Sequence, residues 1–444
     1  MIEEVVSMRN SLFYLTLLMA GCGGDGGDGI VVPGTGAPPV QHEPVISELA
    51  LSPDSVIYME GGGSVAVTAQ VEFWDAGLDI QTLWVRLPDG TSIEFDESVD
   101  TPTGTLTEVF GMSTEIVGEF AVEFWLVDKA GNSSNHQSDT VSVIGDPSSW
   151  TAGDTDLPFV LNAVHWSGAN FIAVGDGGFI LTSPDGLTWT QSGSATNANL
   201  RAIGFDLFDH VAVGDSATVL GSADGGKSWF VQHHGEANVS LRGVNHLAWP
   251  IVAVGKLEDT DAPYVMSSPD HGQSWTAIEE LPQTGRWFTA SAMGAGLHVA
   301  TTQIEVLPND ARVAVSGGGE AWSEVVIDLD AISTFAIIRD WDSGLFWAAG
   351  EEGRIYRSPD GVNWARLETP VNSLLKALAG FGDVIVAHGS AGSGVMTSDG
   401  GQSWQLINIG DDFESHGLAY GAGRFVAVGH STVDPGKGAI YTAP

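Results

Sequence analysis

A chain of 444 residues with 56 acidic and only 16 basic side chains carries a formal charge of -40. Such a field repels phosphate backbones and argues against nucleic acid as a partner, while solubility or salt adaptation accounts for the charge itself. The length allows two or three domains, and the sole cysteine, Cys22, rules out an intrachain disulfide.

Met8 and Arg9 open a short basic lead, and residues 12–20 form an apolar run too short to span a bilayer. Leu18-Met19-Ala20-Gly21-Cys22 follows and resembles a bacterial lipobox. The resemblance implies cleavage after residue 21, lipidation of Cys22, and a cell-envelope location; Gly23 rather than Asp at the next place suits the outer membrane. Residues 22–44, rich in Gly, Pro and Asp, read as a flexible tether.

Residues 45–146 change character. Val65 to Val71 and Phe120 to Val127 alternate with period two, and Gly61-Gly62-Gly63, Pro88-Asp89-Gly90 and Ala130-Gly131-Asn132 mark turns between such runs. Short strands with regular turns predict a β-sandwich. The stretch ending Val127-Asp128-Lys129-Ala130-Gly131-Asn132 resembles the last hairpin of bacterial immunoglobulin-like modules, which implies a spacer or adhesive role.

From residue 147 a repeat takes over. Leu161-Asn162-Ala163-Val164, Phe171 to Gly175, Phe179 to Thr182 and Leu187 to Thr190 read as four strands, a to d, joined by tight turns. The order recurs from Leu200, from Leu241, near Phe288, near Phe335 and from Leu375. A last unit begins at Ser415 and ends after a third strand, at Ala439 to Thr442. Ser148 to Ala152 reads as a lone fourth strand, so pairing it with the chain's tail closes seven blades into a ring without free sheet edges. The predicted fold is all-β: a seven-bladed β-propeller over 147–444, preceded by the sandwich.

Between strands c and d stands a recurring phrase. It runs Ser183, Asp185, Gly186, Trp189 in one copy and Ser358, Asp360, Gly361, Trp364 in another. A form longer by one residue carries Ser222, Asp224 and Trp229; Ser268, Asp270 and Trp275; and Thr397, Asp399 and Trp404. A worn copy spans Ser316 to Trp322. With that copy counted, the spacing is about 40 to 50 residues, the range of propeller repeats. The hydroxyl and carboxylate are expected to accept the turn's amides, Gly to supply positive φ, and Trp to pack between blades. A brace repeated from blade to blade is structural rather than catalytic. The phrase resembles the Asp-box, or bacterial neuraminidase repeat. With Leu-Arg-Ala-Ile at 200–203 and Ala-Val-Gly-Asp-Gly-Gly at 173–178, the repeat region resembles the photosystem II stability/assembly factor-like propellers. That resemblance implies a noncatalytic scaffold.

Aligning the units puts Asn162, Arg201, Arg242, Thr289, Phe335, Lys376 and His416 second in strand a, near the mouth of the central channel. Arg201, Arg242, Lys376 and His416 are the candidate ligand-binding groups, converging on a carboxylate or other anion of a protein or polysaccharide partner. The alternative is that they pair with acidic neighbours and knit the ring. Three b–c segments, 256–263, 303–311 and 430–437, are long enough to wall the same face. The histidines show no His-x-Glu or His-x-x-x-His spacing, and His233 and His234 would point to opposite faces of a strand. No metal site and no cofactor are therefore expected, and no catalytic residue is assigned. A monomer is expected. Two rivals remain open: a structural surface adhesin, and a sialidase-like or xyloglucanase-like glycoside hydrolase. The latter needs two carboxylates across the mouth, for which Glu258, Asp259, Asp261 and Asp310 are first in line.

Overall fold

The computed structural model describes residues 43–444, apart from 59–62, 115, 206–208, 246–249, 305–309, 332, 341–342 and 391. Cys22, the lipobox and nearly all of the tether lie outside the described residues. Among those described, no helix is long and apolar enough to cross a membrane.

Alternation builds the first domain. One sheet orders Val45–Ser52, Ser64–Trp74 and Thr103–Ser113; the other orders Ser55–Ile57, Gln137–Ile144, Gly118–Asp128, Ile80–Arg86 and Ser92–Val99. Val67, Ala69 and Val71 from the first sheet meet Val122, Phe124 and Leu126 from the second in one buried core. Successive side chains point to opposite faces, so one face of each sheet supplies that core and the other stays wet.

Seven four-stranded antiparallel sheets follow among the described residues. Their innermost strands are Leu161–Trp166, Leu200–Phe205, Val239–Asn245, Trp287–Gly294, Thr334–Arg339, Leu375–Phe381 and Phe413–Gly421. Each packs against the next, and the last against the first. Strand b of each blade is covered on both faces. Phe171–Gly175 and His210–Gly214 are buried throughout, so they read as unbroken apolar runs and not as alternation. The outermost strands are short and wet, as at Thr190–Gln191.

The seventh blade is closed as the sequence predicts. Thr151–Ala152 pairs with Gly438–Ala443, with Ala152 opposite Tyr441 and Thr151 opposite Thr442. The Gly153 amide donates to Ile440 O at 2.9 Å and the Ile440 amide to Asp154 O at 2.8 Å.

The repeated phrase braces its own turn. Asp185 Oδ1 accepts the amides of Leu187 and Thr188, each at 2.9 Å, and Ser183 Oγ accepts the Gly186 amide at 2.8 Å. Trp189 Nε1 donates to Gly186 O at 3.1 Å, which requires Gly186 at φ 73°. In the longer form the Ser228 hydroxyl and amide hold the Asp224 carboxyl down to about 2, so the brace stays ionised in mild acid. The worn copy keeps two of the three parts. Ser316 Oγ accepts the Gly319 amide and Trp322 Nε1 donates to Gly319 O, but Gly318 stands where the others have Asp.

The sandwich is not a free spacer. Ser55 Oγ donates to Phe381 O at 3.3 Å and accepts the Asp383 amide at 2.8 Å, both on the a–b turn of blade 6. Ile144 joins the buried cluster of blades 6 and 7, with Ile57 packed against it. The Gly400 amide of a c–d turn donates to Asp383 O, which puts the braced turns at this same end of the ring. The sandwich also lines the channel through Val117, Gly118, Glu119, Ser142, Val143 and Ile144. It therefore closes over the a–b end.

Candidate functional site

The innermost strand of every blade breaks register once, at one place. The ladder skips from Leu161 to Ala163, Leu200 to Ala202, Leu241 to Gly243, Phe288 to Ala290, Thr334 to Ala336, Leu375 to Ala377 and Ser415 to Gly417. The skipped residues are Asn162, Arg201, Arg242, Thr289, Phe335, Lys376 and His416, the seven that the sequence alignment puts second in strand a. A β-bulge leaves its extra residue out of the ladder and re-aims its side chain. Here seven bulges turn seven side chains into the wall of a channel of about 1170 Å³.

Two small-residue signatures make room for this. The residue after each bulge is Ala or Gly, and a Cβ on Gly243 would sit 2.7 Å from the Ser291 amide of the next blade. Strand b carries Gly beside the bulge in six blades, Thr302 being the exception. A Cβ on Gly214 would lie 1.9 Å from Asn199 O. The recurring Val-Gly is thus the sequence trace of the bulge.

At the mouth the cations have partners. Arg201 donates from Nη2 to Asp215 Oδ2 at 2.9 Å and from Nε to Asp215 Oδ1 at 3.1 Å, and it reaches Asp176 of the preceding blade at 3.4 Å. Burial alone would raise the Asp215 carboxyl; the bonds from Arg201 outweigh it and leave that group below the usual range. Arg242 donates to Glu258 at 3.1 Å. Lys376 Nζ bonds Glu414 Oε1 of the following blade at 2.5 Å. Arg201 and Lys376 therefore bridge blades, as the ring-knitting alternative has it. Their side chains still keep 29% and 30% exposure, and that of Arg242 keeps 34%, so all three remain in reach of a ligand.

His416 differs. Its Nδ1 lies 3.2 Å from Leu161 O across the seam between blades 7 and 1. A carbonyl only accepts, so Nδ1 carries a proton and Nε2 of the neutral ring offers a lone pair. That Nε2 lies 3.2 Å from His430 Nδ1 and 3.8 Å from Glu414 Oε1. When its ring takes up a second proton, His416 donates from Nε2 to Glu414, and together with Lys376 it holds that carboxyl down to about 2. The sequence reading, which expected no metal ligands, passed over this trio; its trace is Glu414-x-His416, with the carboxylate first and the imidazole on the bulge.

The long b–c segments begin as hairpin stems. Lys256 pairs with Pro263 and His430 with Gly438, so the walls rise as extensions of strands b and c. Most of the second segment, 303–311, lies outside the described residues. The carboxylates in line for glycosidic chemistry are largely committed to cations. Glu258 takes Arg242 and Lys256, Asp261 takes Lys256, and Asp310 is held between buried Arg286 and Arg312. Burial works to raise Glu258, but its bonds to Arg242 and Lys256 prevail and depress it, the wrong direction for a general acid. Asp259 Oδ1 accepts from Asn238 Nδ2 at 3.5 Å.

No family model and no curated protein matches the chain. Solved structures do. One is YCF48 bound to D1 peptide, at 18% identity and TM-score 0.52, covering 67% of this chain and 97% of that one. Another is YCF48 from Cyanidioschyzon merolae, at 15% identity and TM-score 0.50, covering 66% and 98%. At these identities the likeness extends to the propeller fold.

Proposed function

We propose that the chain is a noncatalytic binding propeller that takes a protein partner, through a peptide segment with an anionic group, at the end of the channel away from the sandwich. The observation that carries this reading is the ring of seven bulges, which aims a separate side chain from each blade at one mouth. Half-exposed Arg201, Arg242 and Lys376 beside Asp215, Glu258 and Glu414 make that mouth a mosaic of both signs. A mosaic suits a peptide, with its mixed charges and backbone amides, better than a uniformly anionic polymer. The YCF48 neighbour with a bound D1 peptide supports the same class of ligand. Cys22 would tether the ring to the cell envelope, in keeping with the outer-membrane expectation, with the sandwich as a docked base.

Replacing Arg201 and Arg242 with Ala tests the reading by capture of envelope proteins on immobilised protein. Loss of a partner held by the wild type, with circular dichroism unchanged, is the expected result. Undiminished capture would remove the mouth from the account. Release of sugar from a glycan panel, abolished by Glu258→Gln or Asp259→Asn, would replace it with the hydrolase.

A further inference from the structure

We infer that Glu414, His416 and His430 form a binding site for a divalent transition ion of the Zn²⁺ class at the channel mouth. The site does not depend on what partner the mouth takes.

The backbone brings the trio together. Glu414 and His416 are separated by one residue on strand a of blade 7, and His430 stands directly opposite Glu414 on strand b. The bulge at His416 swings its ring towards His430. One ligand atom from each residue then falls within 4.8 Å of the other two.

The distances fit an ion. Zinc–nitrogen bonds of about 2.0–2.1 Å in tetrahedral geometry place two imidazole nitrogens about 3.3 Å apart. His416 Nε2 and His430 Nδ1 are 3.2 Å apart. The orientation fits as well. Nδ1 of His416 is spent on Leu161 O, the kind of outer contact that fixes the tautomer of a metal-bound imidazole and points its free lone pair at the metal. With both rings neutral, binding asks His430 only to present Nδ1 without its proton, carrying that proton on Nε2 instead. Lys376 Nζ shares the Glu414 carboxylate, but two oxygens with about four lone-pair sites accommodate both an ammonium and an ion. Two imidazoles and one carboxylate make an N/O donor set suited to Zn²⁺, and they leave a position for water or a ligand.

The test uses the full chain stripped with chelator, then dialysed against micromolar ZnCl2. Retention of one Zn²⁺ per chain is expected, with His430→Ala and Glu414→Gln each weakening it about a hundredfold or more and His136→Ala on the sandwich leaving it unchanged. His430 is half-exposed and its variant is expected to keep the fold, which circular dichroism checks. Co²⁺ in place of Zn²⁺ provides a second readout: visible d–d bands in the wild type that vanish in His430→Ala. No stoichiometric retention, or retention that survives both substitutions, overturns the site.

Discussion

Asp383→Asn is expected to stabilise the protein at neutral pH and to do nothing at pH 4. Asp383 lies on the blade 6 turn that receives the sandwich, and its amide is bonded to Ser55. Burial pushes its carboxyl from 3.8 up to about 6, and the nearby carboxylates of Asp54, Asp340 and Asp399 add to the effect against Arg357. Arg357 is only a partial remedy, because its guanidinium is also committed to Gly400 O at 2.6 Å. Below pH 4 both folded and unfolded chains hold the proton, and the group costs nothing. Between 4 and 6 the unfolded chain sheds it first. Above 6 the folded state bears the full penalty, about 3 kcal/mol for the difference between 3.8 and about 6. Asparagine keeps the shape and removes the charge. Denaturation midpoints of the variant and wild type, compared at pH 4, 5, 6, 7 and 8, report this group together with the neighbouring carboxylates coupled to it, since only the uncoupled acids cancel in the difference. The expected gap opens across pH 4 to 6 and stays open above. A gap of constant size, or one that closes as pH rises, would refute the reasoning.

Three further outcomes rest on other parts of the fold. Gly318→Asp restores the missing carboxylate of the worn turn where a Cβ meets nothing within 4 Å, so blade 4 should gain about 1 kcal/mol and the melting temperature should rise by about 2 °C; an unchanged or lower value would mean the turn does not present its amides as its sisters do. Arg286→Met strips a buried partner from Asp310 and should cost about 3 kcal/mol in denaturant unfolding, with much of the loss recovered in Arg286→Met/Asp310→Asn; independent, additive losses would deny the coupling. Trp150→Ala removes the aromatic packed beside the closing strand, so amide exchange across 438–443 should quicken before that of blades 2 to 4; uniform exchange would show that the seam is no weaker than the rest.

The blade count, the braced turns and the split seventh blade were legible because each is local or periodic. Ser-x-Asp-Gly places donors and acceptors within a few residues, and Ser148 to Ala152 stood out as a fourth strand without its first three. The bulges were not legible as such, because register belongs to two strands at once. Their trace was present in the Gly that strand b sets beside the bulge, which reads on its own as a turn glycine. The acidic partners of Arg201 and Lys376 were hidden for a similar reason, since Asp176 and Glu414 come from neighbouring blades. The docking of the sandwich was least visible: its Ser55 contact joins residues 326 apart, beyond any pattern in the chain. The metal trio is half local, as Glu414-x-His416, and half a matter of which residue strand b sets opposite.

The sevenfold bulge has a consequence for how such a molecule diversifies. Ladder hydrogen bonds skip those seven positions, so the pairing within a blade does not prescribe what occupies them. Their side chains instead tie blade to blade: Arg201 reaches Asp176, Lys376 reaches Glu414 and His416 reaches Leu161 O. Seven positions between 162 and 416 are thus free of the ladder but not of the seams, and a change at Arg201, Lys376 or His416 alters both the rim and the closure of the wheel.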